Sequence, residues 1–365
     1  DSREILQYLA SQLVDQEAAS VLVPPQVHAE GYWFGGGNVV MDAEGAYWLC
    51  GRYRNQGDSR TGVGAGERGL ELAIFRAESP LGPWQKALSF TKEDLACNAQ
   101  AVVSIEGASL LLREGSVELF VSTEKQQQYP DAIRTFQKEG TGCWDIDMIS
   151  AGSIDQLKGS NIRQVIHCAD PAALHVKDPV VFNMPGGSGA TGLIFCTHPY
   201  TWASSNTGLA VREADGAEFS LKTLQLLGRG AAWDVAATRI TDRMPVPALG
   251  RLSGMPEMSL YFYDGAECLR SLDENPAAVS RPRGYSCEEL GGLAYGVDSG
   301  FPELTRISTH QPLFVSSDGT GCSRYVSTLV TKEGILVTWQ QSQRDLSQPL
   351  VGNFVEMDRI AEILG

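Results

Sequence analysis

The chain has 365 residues, 43% of them hydrophobic, with 29 Lys plus Arg against 44 Asp plus Glu and a formal net charge of −15. That balance argues against a nucleic-acid partner or an anionic membrane surface, since affinity for both rests on basic charge. No run of about 18 apolar residues suggests a membrane span.

A short helix is expected first, because Ile5, Leu6, Leu9, Leu13 and Val14 fall on one helical stripe. Next come short strands punctuated by turns. Ala46–Cys50, Val117–Val121, Gly192–Cys196, Met258–Phe262 and Ile335–Trp339 are five similar apolar segments, four of them closely preceded by a Gly-containing turn. They recur with a period of roughly 70 residues, which is the mark of blades or an array. Each unit has room for four strands, and propellers commonly carry four to eight four-stranded blades around a channel. Phe354, Met357, Ile360, Ala361 and Leu364 form a second helical stripe at the end. The expected fold is therefore all-β: one five-bladed propeller spanning 1–365, with short terminal helices that each cover an apolar blade edge.

The eight cysteines are scattered without a Cys-x-x-Cys pair, and Cys50 and Cys196 sit in apolar strands. This usage favours a reducing, cytoplasmic setting, with secretion or a periplasmic location after removal of a leader as the alternative. The five histidines have no zinc-type spacing. No metal and no organic cofactor is expected.

In an up-and-down blade the start of the innermost strand and the end of the second share one face. Inner-strand starts are placed near Gly37-Asn38, Glu106-Gly107, Asp178-Pro179, Asp234-Val235 and Arg324-Tyr325. Second-strand ends fall near Arg52, Glu124, His198, Asp264 and Gln341. Together they form a polar funnel at the channel mouth. Glycoside cleavage needs a pair of carboxyl groups flanking the scissile bond, and Asp178, Asp234, Glu106 and Glu124 could supply one. Trp33, Trp202 and Trp233 lie in loops near that face and could stack on sugar rings, although Trp is equally a core residue. Asn38, Arg52, His198 and Arg324 complete the candidate contacts. Each has an alternative reading: Asp178 could cap a strand entrance, His198 could be a packed loop residue, and Asp234 and Glu106 could be solvated rim.

Lys177-Asp178-Pro179-Val180-Val181-Phe182 resembles the third-blade Asp-Pro motif of five-bladed propeller glycosidases of the family 43, 32 and 68 type. Glu78-Ser79-Pro80-Leu81-Gly82-Pro83-Trp84 is similar to their Ser-Pro-x-Gly-Pro-Trp turn at the outer edge of blade one. The resemblance implies three acting carboxylates: a base or nucleophile in blade one, an Asp in blade three, and an acid in blade four. Asp178 matches the third. Asp234 falls near the blade-four position, where those families use Glu. The blade-one position lands on Gly37-Asn38, where their motif has Asp-Pro, so that carboxylate is missing. Glu106 could take over its role; Glu30, Asp42 and Glu124 are further candidates. The resemblance implies a glycoside hydrolase acting on short oligosaccharides or glycosides. The alternatives are a non-catalytic carbohydrate-binding propeller and a glycoside phosphorylase, for which Arg52, Arg54 and Arg324 could bind the anion.

Overall fold

A computed structural model describes residues 2–55, 68–137, 141–200, 204–267 and 289–365. Helix α1 (Ser2–Leu13) leads into β1 (Ser20–Val23). Blade one follows with β2 (Trp33–Gly35), β3 (Val39–Met41), β4 (Tyr47–Arg54), β5 (Glu71–Ala77) and β6 (Gln85–Thr91). Blade two holds β7 (Val102–Arg113), β8 (Ser116–Lys125), β9 (Cys143–Ala151) and β10 (Ile162–Ile166). Blade three holds β11 (Leu174–Asn183), β12 (Thr191–His198), β13 (Asn206–Arg212) and β14 (Ser220–Leu227). Blade four holds β15 (Ala237–Pro245), β16 (Met258–Ala266), β17 (Leu290–Val297) and β18 (Thr305–Arg306). Blade five holds β19 (Ser323–Val330), β20 (Gly334–Gln341) and β21 (Leu350–Glu356), and α2 (Met357–Leu364) ends the chain.

Within each blade the strands run antiparallel in sequence order from the channel outward. Two departures matter. The inner strand of blade one is split, β2 and β3 both pairing with β4. Blade five takes its outermost strand from the other end of the chain, with Ser20 opposite Gly352. The ring is thereby closed by hydrogen bonds between distant segments.

The five apolar segments seen in the sequence are the second strands β4, β8, β12, β16 and β20. Each is buried on both faces, which explains why it reads as a near-continuous apolar run rather than an alternation. Successive side chains serve different neighbours. In β20, Ile335, Val337 and Trp339 pack toward blade four, while Leu336 packs toward blade one. In β8, Val117, Leu119 and Val121 face blade one and Phe120 faces blade three. One hydrophobic cluster thus fills each of the five blade–blade interfaces. The cluster between blades four and five also takes Ile5, Leu6, Leu9 and Leu13 of α1 and Ile360, Ile363 and Leu364 of α2. Both helices therefore cover apolar surface where the ring closes.

The inner strands share a feature that shapes the site. Each ladder breaks near the channel mouth: between Gly35 and Val39 in blade one, Ile105 and Ala108 in blade two, Lys177 and Val180 in blade three, Ile240 and Asp242 in blade four, and Arg324 and Ser327 in blade five. Bulges of this kind re-aim side chains and sharpen the bend of a strand. At three of the breaks one residue adopts the left-handed region, Gly36 (φ 73°), Asp178 (φ 54°) and Tyr325 (φ 54°). Asp tolerates that conformation better than most residues; for Tyr it is an outlier held by its surroundings.

Candidate active site

The breaks turn Gly36, Asp178 and Tyr325 toward the axis. Together with Arg239 of β15 they line a narrow recess of about 20 Å³ in the channel, room for a single water. Asp178 is buried, and its Oδ1 accepts from the Gly107 backbone N–H at 3.2 Å while its own N–H donates to Ser122 Oγ at 3.0 Å. Its Oδ2 meets Arg239 Nη1 at 3.1 Å.

Two guanidinium groups organise the carboxylates around it. Arg52 Nη2 lies 3.3 Å from Glu106 Oε2, 4.0 Å from Asp178 Oδ1 and 3.1 Å from the Tyr325 hydroxyl. Glu106 and Asp178 therefore flank one nitrogen. On the other side Arg239 Nη2 is shared by Asp264 Oδ2 at 2.8 Å and Glu289 Oε2 at 2.9 Å. Glu289 also pairs with Arg324. The Tyr325 ring is the floor between these groups, with Arg239 4.1 Å and Arg52 5.2 Å from its centroid.

The protonation states follow from this wiring. Burial pushes the Glu106 carboxyl up, but Arg52, Arg54, Lys177 and Arg68 outweigh it and hold Glu106 well below the usual carboxylate range. Burial likewise opposes ionisation of Glu289, and Arg239 and Arg324 again win. Asp264 goes the other way. Burial and the nearby Glu289 charge exceed the pull of Arg239, and its carboxyl is pushed up to about 6. Glu106 beside Arg52 and Glu289 beside Arg239 are thus held ionised, whereas Asp264, on the same Arg239 nitrogen as Glu289, can keep a proton near pH 6.

Of the residues proposed from sequence, Asp178, Glu106, Arg52 and Arg324 meet in this network. Glu124 is near it but is occupied, with Arg68 Nη2 at 2.6 Å and the Gly142 N–H at 2.9 Å from its oxygens. Trp33 is buried beneath guanidiniums, with Arg52, Arg324 and Arg54 at 4.6, 5.2 and 5.3 Å from its centroid, so those charges rather than a sugar cover it. Asn38 clamps blades one and two, bonding both the N–H and the carbonyl of Leu110 at 2.7 and 2.9 Å. His198 is buried with Nδ1 2.6 Å from the Ser204 carbonyl, an acceptor, so Nδ1 carries the proton. Burial, Lys177 and His175 push its pKa well down. Trp202 lies outside the described residues.

The blade-four placement differs from the sequence count. The inner strand begins at Ala237, not at Asp234-Val235, and Arg239 takes the channel-facing place. Asp234 is fully buried against Arg306 Nε at 2.9 Å and the Tyr263 hydroxyl at 3.0 Å. Trp233 stacks on Tyr263 with centroids 5.6 Å apart and donates Nε1–H to the Ser308 carbonyl at 2.9 Å, a core position. In blade one the break spans Gly36, Gly37 and Asn38, as the sequence count placed it, and Gly36 and Gly37 line the recess. A side chain there is blocked, because a Cβ on Gly36 would lie 1.8 Å from Arg52 Nη1. Arg52 fills the room a first-blade carboxylate would need.

Sequence reading missed Arg239 and Glu289 and did not use Asp264 as a site residue. Asp264 was legible as a second-strand end. Arg239 faces it directly across the β15–β16 ladder, a pairing that a correct strand start would have revealed.

The fold and the recess define a five-bladed propeller of the architecture seen in glycoside hydrolases. No protein-family model and no curated protein sequence matches the chain. Solved structures do match in fold. A structure described as a glycoside hydrolase superposes with a TM-score of 0.60 at 11% identity, covering 97% of this chain and 95% of that one. An α-L-arabinofuranosidase from Lactobacillus brevis gives 0.56 at 9% identity over 93% of each chain. An endo-arabinase from Bacteroides thetaiotaomicron gives 0.53 at 11% identity over 93% of this chain and 97% of that one. At such identities the likeness establishes the shared fold.

Proposed function

We propose that the chain is a glycoside hydrolase acting on short oligosaccharides or glycosides at the channel mouth. The observation that carries this reading is Asp178: a buried carboxylate turned into the recess by a bulge, with Glu106 on one side and the Asp264–Glu289 pair on the other. The fold shared with the arabinofuranosidase and the other hydrolases supports the reaction class.

The roles are assigned by environment. Asp178 supplies negative charge beside an oxocarbenium-like transition state. Glu106, kept ionised by its arginines, replaces the missing blade-one carboxylate as base or nucleophile. Asp264, its carboxyl pKa raised by burial and by the neighbouring Glu289 charge, supplies the proton to the leaving group. Asp234 is set aside for that role because it is committed to Arg306 and Tyr263.

One observation favours a second reading, a sugar-binding propeller without catalysis. The inner strands of blades one and four present Gly36 and Arg239 to the recess, where the family 43, 32 and 68 pattern has carboxylates. A panel of aryl glycosides and oligosaccharides separates the two. Turnover that is lost in Asp178→Asn supports hydrolysis; saturable sugar binding with no turnover of any substrate supports the binding module.

A further inference from the structure

The arginines of blade one are not fully used by the carboxylates described above. Arg52 and Arg54 leave β4 on the same side, two residues apart, over the Trp33 ring. Both are almost completely buried, at 2% and 3% exposure. A guanidinium carries five N–H donors in a rigid fork. Among the described residues, Nε and Nη1 of each have no hydrogen-bond partner. Arg54 Nη2 meets Glu106 Oε1 only at 3.9 Å, too long for a hydrogen bond. Glu106 is already engaged by Arg52 and by Ser104 Oγ at 2.9 Å.

Buried donors without acceptors are costly, and a buried charge without a close counter-charge more so. The Trp33 face attracts cations, yet Arg52, Arg54 and Arg324 crowd the same ring and repel one another. Burial together with the Arg68, Arg52 and Arg324 charges outweighs Glu106 and pushes Arg54 down to about 10. The arrangement lacks one negative group of a shape that can face two forks. Bidentate recognition of carboxylate and phosphate is what paired guanidiniums do best.

We propose that Arg52 and Arg54, seated on Trp33, form an oxyanion subsite beside the Asp178 recess that takes the carboxylate of an acidic sugar unit or a free phosphate. This rests on reading the channel mouth beside that recess as the sugar site. Arg52 Nη1 abuts Gly36, which lines the recess, so an anion held there lies next to whatever occupies the mouth. The subsite is a local positive spot in a chain of net charge −15, which favours acidic over neutral ligands only at this mouth.

The test is calorimetric titration of the whole chain at low chloride with glucuronate, galacturonate, glucose, galactose and inorganic phosphate. A uronate that binds more tightly than its neutral counterpart identifies a sugar carboxylate as the ligand. Binding of phosphate without uronate preference identifies a free anion. In either case Arg54→Gln should weaken binding by about tenfold or more, the loss of one charge-assisted hydrogen bond. Arg54→Lys, which keeps charge but not the fork, should fall between. In anion-free buffer Arg54→Gln should melt no lower than the parent, since it removes an under-compensated charge; a purely structural arginine would give a lower melting temperature. The proposal is overturned if no oxyanion binds saturably, or if binding is unchanged in both Arg54 variants. Hydrolysis of neutral glycosides without oxyanion binding would sink the subsite and leave the hydrolase reading intact. Arg54-dependent oxyanion binding with no hydrolysis of any glycoside would do the reverse.

Discussion

Asp178→Asn is the most direct perturbation of the site, and the structure says what it removes. The backbone at 178 is left-handed, at φ 54°. Asn tolerates that region as well as Asp does, whereas Ala would add strain. The Asn oxygen can keep the Gly107 N–H bond of 3.2 Å, but its NH₂ then points at Arg239 Nη1, now 3.1 Å from Oδ2. One charge-assisted bond is lost, worth about 1.5–3 kcal/mol. Arg239 keeps Asp264 and Glu289, so the cost should sit at the low end, with a melting shift of a few degrees in a chain of this length. The catalytic cost is larger. Removing one preorganised group aimed at developing charge lowers kcat by about 100- to 1,000-fold. The assay is initial-rate hydrolysis of the best aryl glycoside, with circular dichroism to confirm folding. A folded Asp178→Asn protein that turns over at the parental rate would refute the site.

Further outcomes follow from other contacts. Glu106→Gln should abolish turnover, and azide should restore it if Glu106 is the nucleophile; a rate unaffected by the substitution removes Glu106 from the mechanism. The Asp264 carboxyl is pushed up to about 6, so the native state keeps its proton up to that pH. Activity that uses this proton should decline as pH rises through about 6, and Asp264→Asn should erase that limb and slow poor leaving groups most. Because the native pKa lies above the unfolded value of about 3.9, the stabilisation linked to this group is complete at low pH and is lost between about pH 4 and 6; urea melts across that window should flatten in the same variant. Asn38→Ala breaks two bonds between blades one and two and should cost about 1–3 kcal/mol in denaturant while leaving KM unchanged. Gly36→Ala combines a disfavoured left-handed backbone with a clash on Arg52, costing about 1–2 kcal/mol from the backbone alone, and a denaturation midpoint equal to the parent's would contradict the geometry.

What was legible in the sequence was set by burial. A second strand such as Val117–Val121 is enclosed by two neighbouring blades, so its apolar run stands out without any knowledge of the fold. Asp178-Pro179 was legible because proline and a β-branched strand flank the carboxylate. The inner strands were harder. Their bulges add or skip a residue near the mouth, and counting from a turn then misses by a few positions, as it did for Asp234 and Arg239. Glu289 follows a stretch outside the described residues and joins the site only through the closing of blade four, which no local pattern records. The closure by Ser20–Val23 was invisible for a similar reason: a four-residue strand carries little pattern, and its partner is at the far end of the chain.

That pairing has a consequence for how the protein is made. Ser20 and Gly352 must meet before blade five has its outer strand, and contacts of such long sequence separation form late. Until then the open edge of β21 is a template for any other strand. The apolar stripe of α1 also has no blade five to cover during translation, because β19, β20 and β21 have yet to emerge from the ribosome. Until blade five has formed, the chain therefore carries an uncovered greasy helix and an unfinished ring, and β19, β20 and β21 both complete the circle and bury the surfaces that had stood open.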